Sequence, residues 1–176
     1  VMRYLATGEE PDVAGVPKHP PHDYGVAVIL YGLADRGVVP TDQVEPLRMG
    51  IESFLLASQE AMVDQTVADR TFAEARAYAK TLPEPARTYM TYVNDRAIDK
   101  LGPVLLPHLN QLAATDPALS PDRVTDPPAA PIYLMHGDDD NVIPAAESAL
   151  LYEHLEREGA DAHLLLTRVV THAQVN

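Results

Sequence analysis

Residues 131–176 constrain the fold more than any other part of the chain. Ile132-Tyr133-Leu134-Met135 is a short apolar run that follows a proline-rich loop and ends at His136-Gly137. Ala145 to Glu158 reads as a helix, with Glu147 in its first turn, Arg157 in its last and Gly159 just beyond. That polarity complements the helix dipole and supplies a glycine cap. Ala162 to Leu166 is a second short apolar run. Strand, helix, strand in this order is a βαβ unit, so the two strands are expected to be parallel, with a right-handed crossover.

Everything before this unit is punctuated by proline. One stretch holds Pro11, Pro17, Pro20 and Pro21, and another holds Pro117, Pro121, Pro127, Pro128 and Pro131. Such stretches resist both helix and central strand, so both read as connecting loops. Between them lies a helical block. Tyr24 to Asp35 carries the continuous apolar run Val26 to Leu30, which fits a buried strand or a buried helix; its length favours helix. Val44, Leu47, Ile51, Phe54, Leu55, Ser58 and Met62 recur at steps of three and four, on one helical stripe. That helix starts at Thr41 or at Pro46. Thr71-Phe72-Ala73-Glu74 has the pattern of a capping box and opens a helix that runs to Leu82-Pro83. Another is expected from Pro85 to Gly102-Pro103, and a shorter one from Val104 to Ala113, bent at Pro107. The expected organisation is a connecting segment (1–23), a helical block (24–115), a proline-rich loop (116–130) and the βαβ part (131–176).

Composition narrows the partners. The 176 residues carry 13 Lys and Arg against 26 Asp and Glu, a net charge of −13. A chain this acidic repels phosphate backbones and anionic membrane surfaces, which argues against nucleic acid as a partner. No cysteine is present, so disulfides, a thiolate nucleophile and cysteine-ligated zinc are excluded. The longest uncharged apolar stretch, Tyr24 to Ala34, falls short of the ~18 residues that span a membrane. No charged segment followed by an apolar core opens the chain, so no signal peptide is read and the cytoplasm is the default compartment. The chain opens on Val1 rather than Met and closes on a loop, so the expectation is a piece of a longer protein.

Parallel strands bring their C-terminal ends to one edge, where sites form in open α/β sheets. Asp140 follows the first strand there, and His172 follows the second. A carboxylate that fixes the tautomer of an imidazole is the base half of a Ser-His-Asp device. Acid followed by histidine is also one of its known chain orders.

The run Pro131-Ile132-Tyr133-Leu134-Met135-His136-Gly137-Asp138-Asp139-Asp140-Asn141-Val142-Ile143-Pro144 resembles the segment of α/β-hydrolases that carries the catalytic acid. The resemblance puts Asp140, rather than Asp138 or Asp139, at the acid position. Ala145 to Glu158 resembles the helix that follows, and Ala162 to Leu166 with Thr171-His172 resembles the last strand and the histidine loop. The helical block resembles a cap inserted before the acid strand. The implied fold class is α/β, an incomplete α/β-hydrolase fold in which a helical cap-like block precedes a parallel βαβ unit. The implied activity is serine-hydrolase chemistry on a small-molecule ester or related acyl substrate, with Asp140 and His172 catalytic and no cofactor or metal.

The departure from that pattern is the nucleophile. The family places a serine in a G-x-S-x-G turn between strand and helix. None of the nine glycines forms that pattern. Ser53 and Ser58 fall on an expected helix, Ser120 in a proline loop and Ser148 on the last helix. The chain alone is therefore expected to be inactive. A non-catalytic binding module derived from a hydrolase is the alternative; the oligomeric state stays open on either reading.

Blander readings accompany these. Asp138-Asp139-Asp140-Asn141 is also good turn chemistry for a solvated loop. Asp138-x-Asp140-x-Val142 also resembles the motif of haloacid-dehalogenase phosphatases, but there the motif abuts its strand, whereas His136-Gly137 is expected to intervene here. An EF-hand loop fails for want of glycine at its sixth position and an acid at its twelfth. His19 and His22, with Asp23, are expected in a solvated loop. His136 is expected to pack or hydrogen-bond at the strand end and support the acid loop. His108, His154 and His163 are read as surface or half-buried, and Tyr78, Tyr89 and Tyr92 as helix packing.

Overall fold

A computed structural model describes residues 1–19, 22, 24–115, 121–123, 125–140 and 142–170; the side chains of 113, 115 and 122 are left aside. Among these residues the chain is mixed α/β, with seven α-helices and a two-stranded parallel sheet. It divides into two compact units. One holds Val1, 3–22 and 111–176; the other holds Met2 and 23–110.

The second unit is helical. Tyr24–Leu33 forms α2, so the ambiguous apolar run is a helix. Its Val26, Ala27, Leu30 and Leu33 are buried. A π-type turn, Ala34–Val38, ends it where Gly37 takes a left-handed φ of 85°. Helix α3 spans Thr41–Glu60 and buries Val44, Leu47, Ile51 and Phe54. Ala57 continues the buried stripe, but Met62, expected on it, lies beyond the helix end and is 74% exposed. Helix α4 spans Gln65–Ala79 and is capped by Asp64, whose carboxylate accepts from Thr66 N (2.8 Å) and Val67 N (3.3 Å). The capping box expected at Thr71 is not used. Its hydroxyl donates to Glu60 Oε2 (2.6 Å) and to the Val67 carbonyl one turn back (3.3 Å), so it sits inside the helix.

Helix α3 packs on α2, α4 and α5. Phe54 and Phe72 meet with ring centroids 5.6 Å apart. Buried Gln43 donates to the Glu84 carbonyl (2.9 Å) and accepts from Ala86 N (3.2 Å), tying the start of α3 to the start of α5 (Ala86–Asn94). The single helix expected from Pro85 to Pro103 is two. Arg96 adopts a left-handed φ of 54° and breaks it, with its guanidinium 5.1 Å from the Phe72 ring centre. Helix α6 (Ile98–Thr115) then runs through both Pro103 and Pro107, where a stop and a bend were expected. Leu101, Leu105 and Leu109 are buried at steps of four, while both prolines are exposed. Burial of that stripe outweighs two missing amides on a side where water serves the freed carbonyls.

The first unit holds the sheet. Helix α1 (Met2–Thr7) buries Tyr4 and Ala6. Strand β1 (Ile132–Gly137) pairs in parallel with β2 (Ala162–Thr167), from Ile132 against Ala162 to Gly137 against Thr167. Helix α7 (Ala145–Arg157) joins them and packs on both. Gly159, at φ 83°, takes the left-handed conformation that a side chain would resist just past the helix end. Alternate strand residues are half-buried, while Tyr133, Met135, His163 and Leu165 face solvent. The Tyr133 and His163 rings stack across the register at 4.9 Å.

Candidate functional site: the acid loop at the sheet edge

The loop after β1 starts by extending the strand, since Asp138 N donates to the Thr167 carbonyl at 3.0 Å. The chain then folds back, with Asp140 N on the Gly137 carbonyl at 3.3 Å. This reversal turns Asp140 inward, and its side chain is only 5% exposed. A carboxylate at that depth needs partners. Its Oδ1 accepts two backbone amides, Val142 N and Ile143 N, each at 2.8 Å. The three aspartates thus differ in surroundings. Asp139 is exposed, and Asp138 meets Arg168 at 3.2 Å near the surface through Oδ2. Asp140 is the buried one of the three.

His136 stands beside it. The ring Nε2 lies 2.9 Å from the Ile143 carbonyl and 3.5 Å from Asp140 Oδ2, and Nδ1 lies 2.6 Å from Ser148 Oγ on α7. A carbonyl only accepts, so Nε2 carries a proton, and in the corresponding neutral tautomer Nδ1 accepts from the Ser148 hydroxyl. Ser148, His136 and Asp140 are the residue types of a catalytic triad, and they stand in line. The bonding is that of a clamp, because the Nε2 proton goes to a backbone carbonyl at hydrogen-bond distance and the carboxylate lies outside it. A cleft of about 490 Å³ borders α7 and is lined in part by Ile143, Ser148, Leu151, His154 and Arg157.

A second set of contacts reaches the loop from the start of the chain. His19 Nε2 lies 3.0 Å from the Asp138 carbonyl, its own amide donates to Glu10 Oε2 (3.0 Å), and its carbonyl accepts from the Tyr4 hydroxyl (3.2 Å). His19 was expected in a solvated loop; it is half-buried and bonded through ring and backbone. Tyr4 is buried, and that burial, with Glu10 and then Asp140 adding negative charge, pushes its phenol up to about 12. It therefore stays a neutral donor across the physiological range. Glu10 Oε1 and Asp138 Oδ1 are buried without a hydrogen-bond partner among the described residues. No sequence signal pointed to these contacts, because His19 and Asp138 are 119 positions apart.

The other expected residues fall as follows. His172 and Asn141 lie outside the described residues, as do Ser120 and Asp23. Ser53 and Ser58 donate to the carbonyls one turn back, Met49 (3.2 Å) and Phe54 (3.0 Å), so neither sits at a strand-to-helix turn. His154 is buried on α7, His163 is exposed, and His108 Nδ1 meets the Arg36 carbonyl at 3.1 Å. Strand β1 runs through Gly137, so Asp138 does abut its strand, and the spacing argument against the phosphatase motif falls. No cluster of three or more His, Asp or Glu fit to hold a metal occurs among the described residues. No helix among them is long and apolar enough to cross a membrane.

The chain matches no family model, no curated protein and no solved structure.

Proposed function

We propose that this chain is the acid- and histidine-bearing part of an α/β-hydrolase-type serine hydrolase acting on a carboxylic ester or related acyl bond. Asp140 orients the His172 imidazole and stabilises its protonated form. His172 takes the proton of an attacking serine hydroxyl and returns it to the leaving group. The serine comes from a G-x-S-x-G turn outside this sequence, and the helical unit serves as the cap. One observation carries the reading. At the edge where two parallel strands end, a nearly fully buried carboxylate has one oxygen pinned by two amides, and the second strand leads on towards His172. A solvated turn would leave that carboxylate in water.

The test is ester hydrolysis by the gene product together with its upstream coding sequence, measured on p-nitrophenyl esters. Asp140→Asn and His172→Ala are each expected to lower kcat by at least ~10³. The 176-residue chain alone is expected to show none. Full activity in His172→Ala would overturn the reading.

A second reading, a non-catalytic interaction module, is favoured by the open sheet face. Tyr133, Met135 and Leu165 are 76%, 65% and 56% exposed, whereas parallel sheets are normally covered on both faces. A coding sequence that starts at or near Val1 would support it and remove the nucleophile.

A further inference from the structure

We propose that His136 is a positioning residue for Asp140, and that it works through Nε2, the nitrogen bonded to Ile143, rather than through the one bonded to Ser148. For its catalytic meaning the inference rests on the reading of Asp140 as the acid partner of His172. Ile143 is the shared element. Its amide holds Asp140 Oδ1 at 2.8 Å, and its carbonyl is held by His136 Nε2 at 2.9 Å. The ring thus grips the same residue that grips the carboxylate. It does so from strand β1, with only 12% of its side chain exposed. Oδ1 is fixed by two amides, and the same Nε2 lies 3.5 Å from Oδ2. Without the Nε2 bond, Ile143 loses its tie to β1, and the loop segment whose two amides aim Asp140 loses that anchor. Ser148 holds the far edge of the ring from α7 and orients the imidazole.

The two nitrogens can be separated chemically. Glutamine reaches about as far as Nε2 and brings an N–H donor there; asparagine reaches only about as far as Nδ1. His136→Gln should keep the loop in place and His136→Asn should not. The measurement is hydrogen exchange of the Val142 and Ile143 amides in the 176-residue chain, with NMR titration of His172 alongside and thermal unfolding as the control for folding. His136→Asn is expected to speed exchange of both amides by ~10-fold or more, and His136→Gln to stay within ~3-fold of the parent chain. The His172 titration should move to lower pH in Asp140→Asn and in His136→Asn, and stay in place in His136→Gln. Ser148→Ala leaves the strand untouched and is expected to leave both amides within ~3-fold.

Unchanged exchange in His136→Asn would overturn the assignment, as would equal losses in the Gln and Asn variants or ~10-fold faster exchange in Ser148→Ala. If instead His172 does not respond to Asp140→Asn, the acid–histidine reading fails, and the exchange rates still decide the role of His136.

Discussion

Asp140 carries both a structural and a proposed chemical role, and two substitutions separate them. In Asp140→Ala, the amides of Val142 and Ile143 lose their acceptor. Both bonds are short, and both end on a carboxylate that is 5% exposed. A hydrogen bond to a charged group contributes about 1.5–3 kcal/mol, and a neutral one about 0.5–1.5 kcal/mol. The two bonds therefore bound the loss at roughly 3–6 kcal/mol. Ile143 is only partly buried, so water recovers some of it, and the expected loss is about 3–4 kcal/mol. Asp140→Asn keeps an oxygen at the Oδ1 position and exchanges two charge-assisted bonds for two neutral ones, for about 2 kcal/mol after the same recovery. The assay is urea unfolding at pH 7 followed by amide signals of β1 and β2, so that the helical unit does not blur the transition. A ratio near two between Ala and Asn is expected. Equal losses, or an alanine variant within ~0.5 kcal/mol of the parent, would refute the claim that the two amides hold the loop through this carboxylate. If the ratio holds, activity lost in Asp140→Asn reflects the missing charge rather than a misplaced loop.

Other outcomes follow from the same structure. Tyr4, held at about 12 in the folded chain against an ordinary 10, favours folding below pH 10, and that contribution is lost as pH rises through 12; Tyr31 and Tyr152 are also raised, by hydrogen bonds to Glu52 and Glu156, so ultraviolet titration should show Tyr4 as the last step, and Tyr4→Phe should remove that step. If Tyr4→Phe leaves the titration curve unchanged, the phenol is not where the fold puts it. Phe54→Ala, at a fully buried ring paired with Phe72, is expected to cost the helical unit about 3–5 kcal/mol; a loss under ~1 kcal/mol in denaturant unfolding would mean the helices are not packed around it. Ser148, bonded to His136 as part of a clamp, should stay unmodified when the chain is treated with a fluorophosphonate, and a covalent adduct on Ser148 in peptide mass spectra would show a nucleophile there instead.

What the sequence made legible depended on the range of the force involved. Strand β1, helix α7 and strand β2 are written in apolar runs, an acid in the first turn and a glycine past the last, all signals within a few residues, and the parallel pairing from Ile132 to Gly137 follows from their order. Helix α3 was legible from its stripe for the same reason. The errors came where two local signals competed and packing chose between them. The helix expected to open at Thr71 is capped by Asp64 instead, and the Thr71 hydroxyl goes to Glu60 and Val67 from inside it. Pro103 reads as a stop and Pro107 as a bend, yet one helix, with leucines 101, 105 and 109 buried, spans both. Arg96 carried no glycine or proline to announce a break, and its left-handed backbone is set beside Phe54 and Phe72, two rings from other helices.

The site divides along the same line. A buried turn acid after a strand is a local pattern, and Asp140 has that burial and those amides. The grip of His19 on Asp138 arises only when the start of the chain folds against a loop more than a hundred residues away. His136 lies between these cases. Its place at the strand end is local, but the choice of Ile143 for one nitrogen and Ser148 for the other depends on how α7 settles on the sheet. That dependence is why the chemistry of the acid loop has to be tested one nitrogen at a time: the residue types in reach, a serine, a histidine and an aspartate, are the same for a clamp and for a catalyst, and what separates the two is which atom holds which proton.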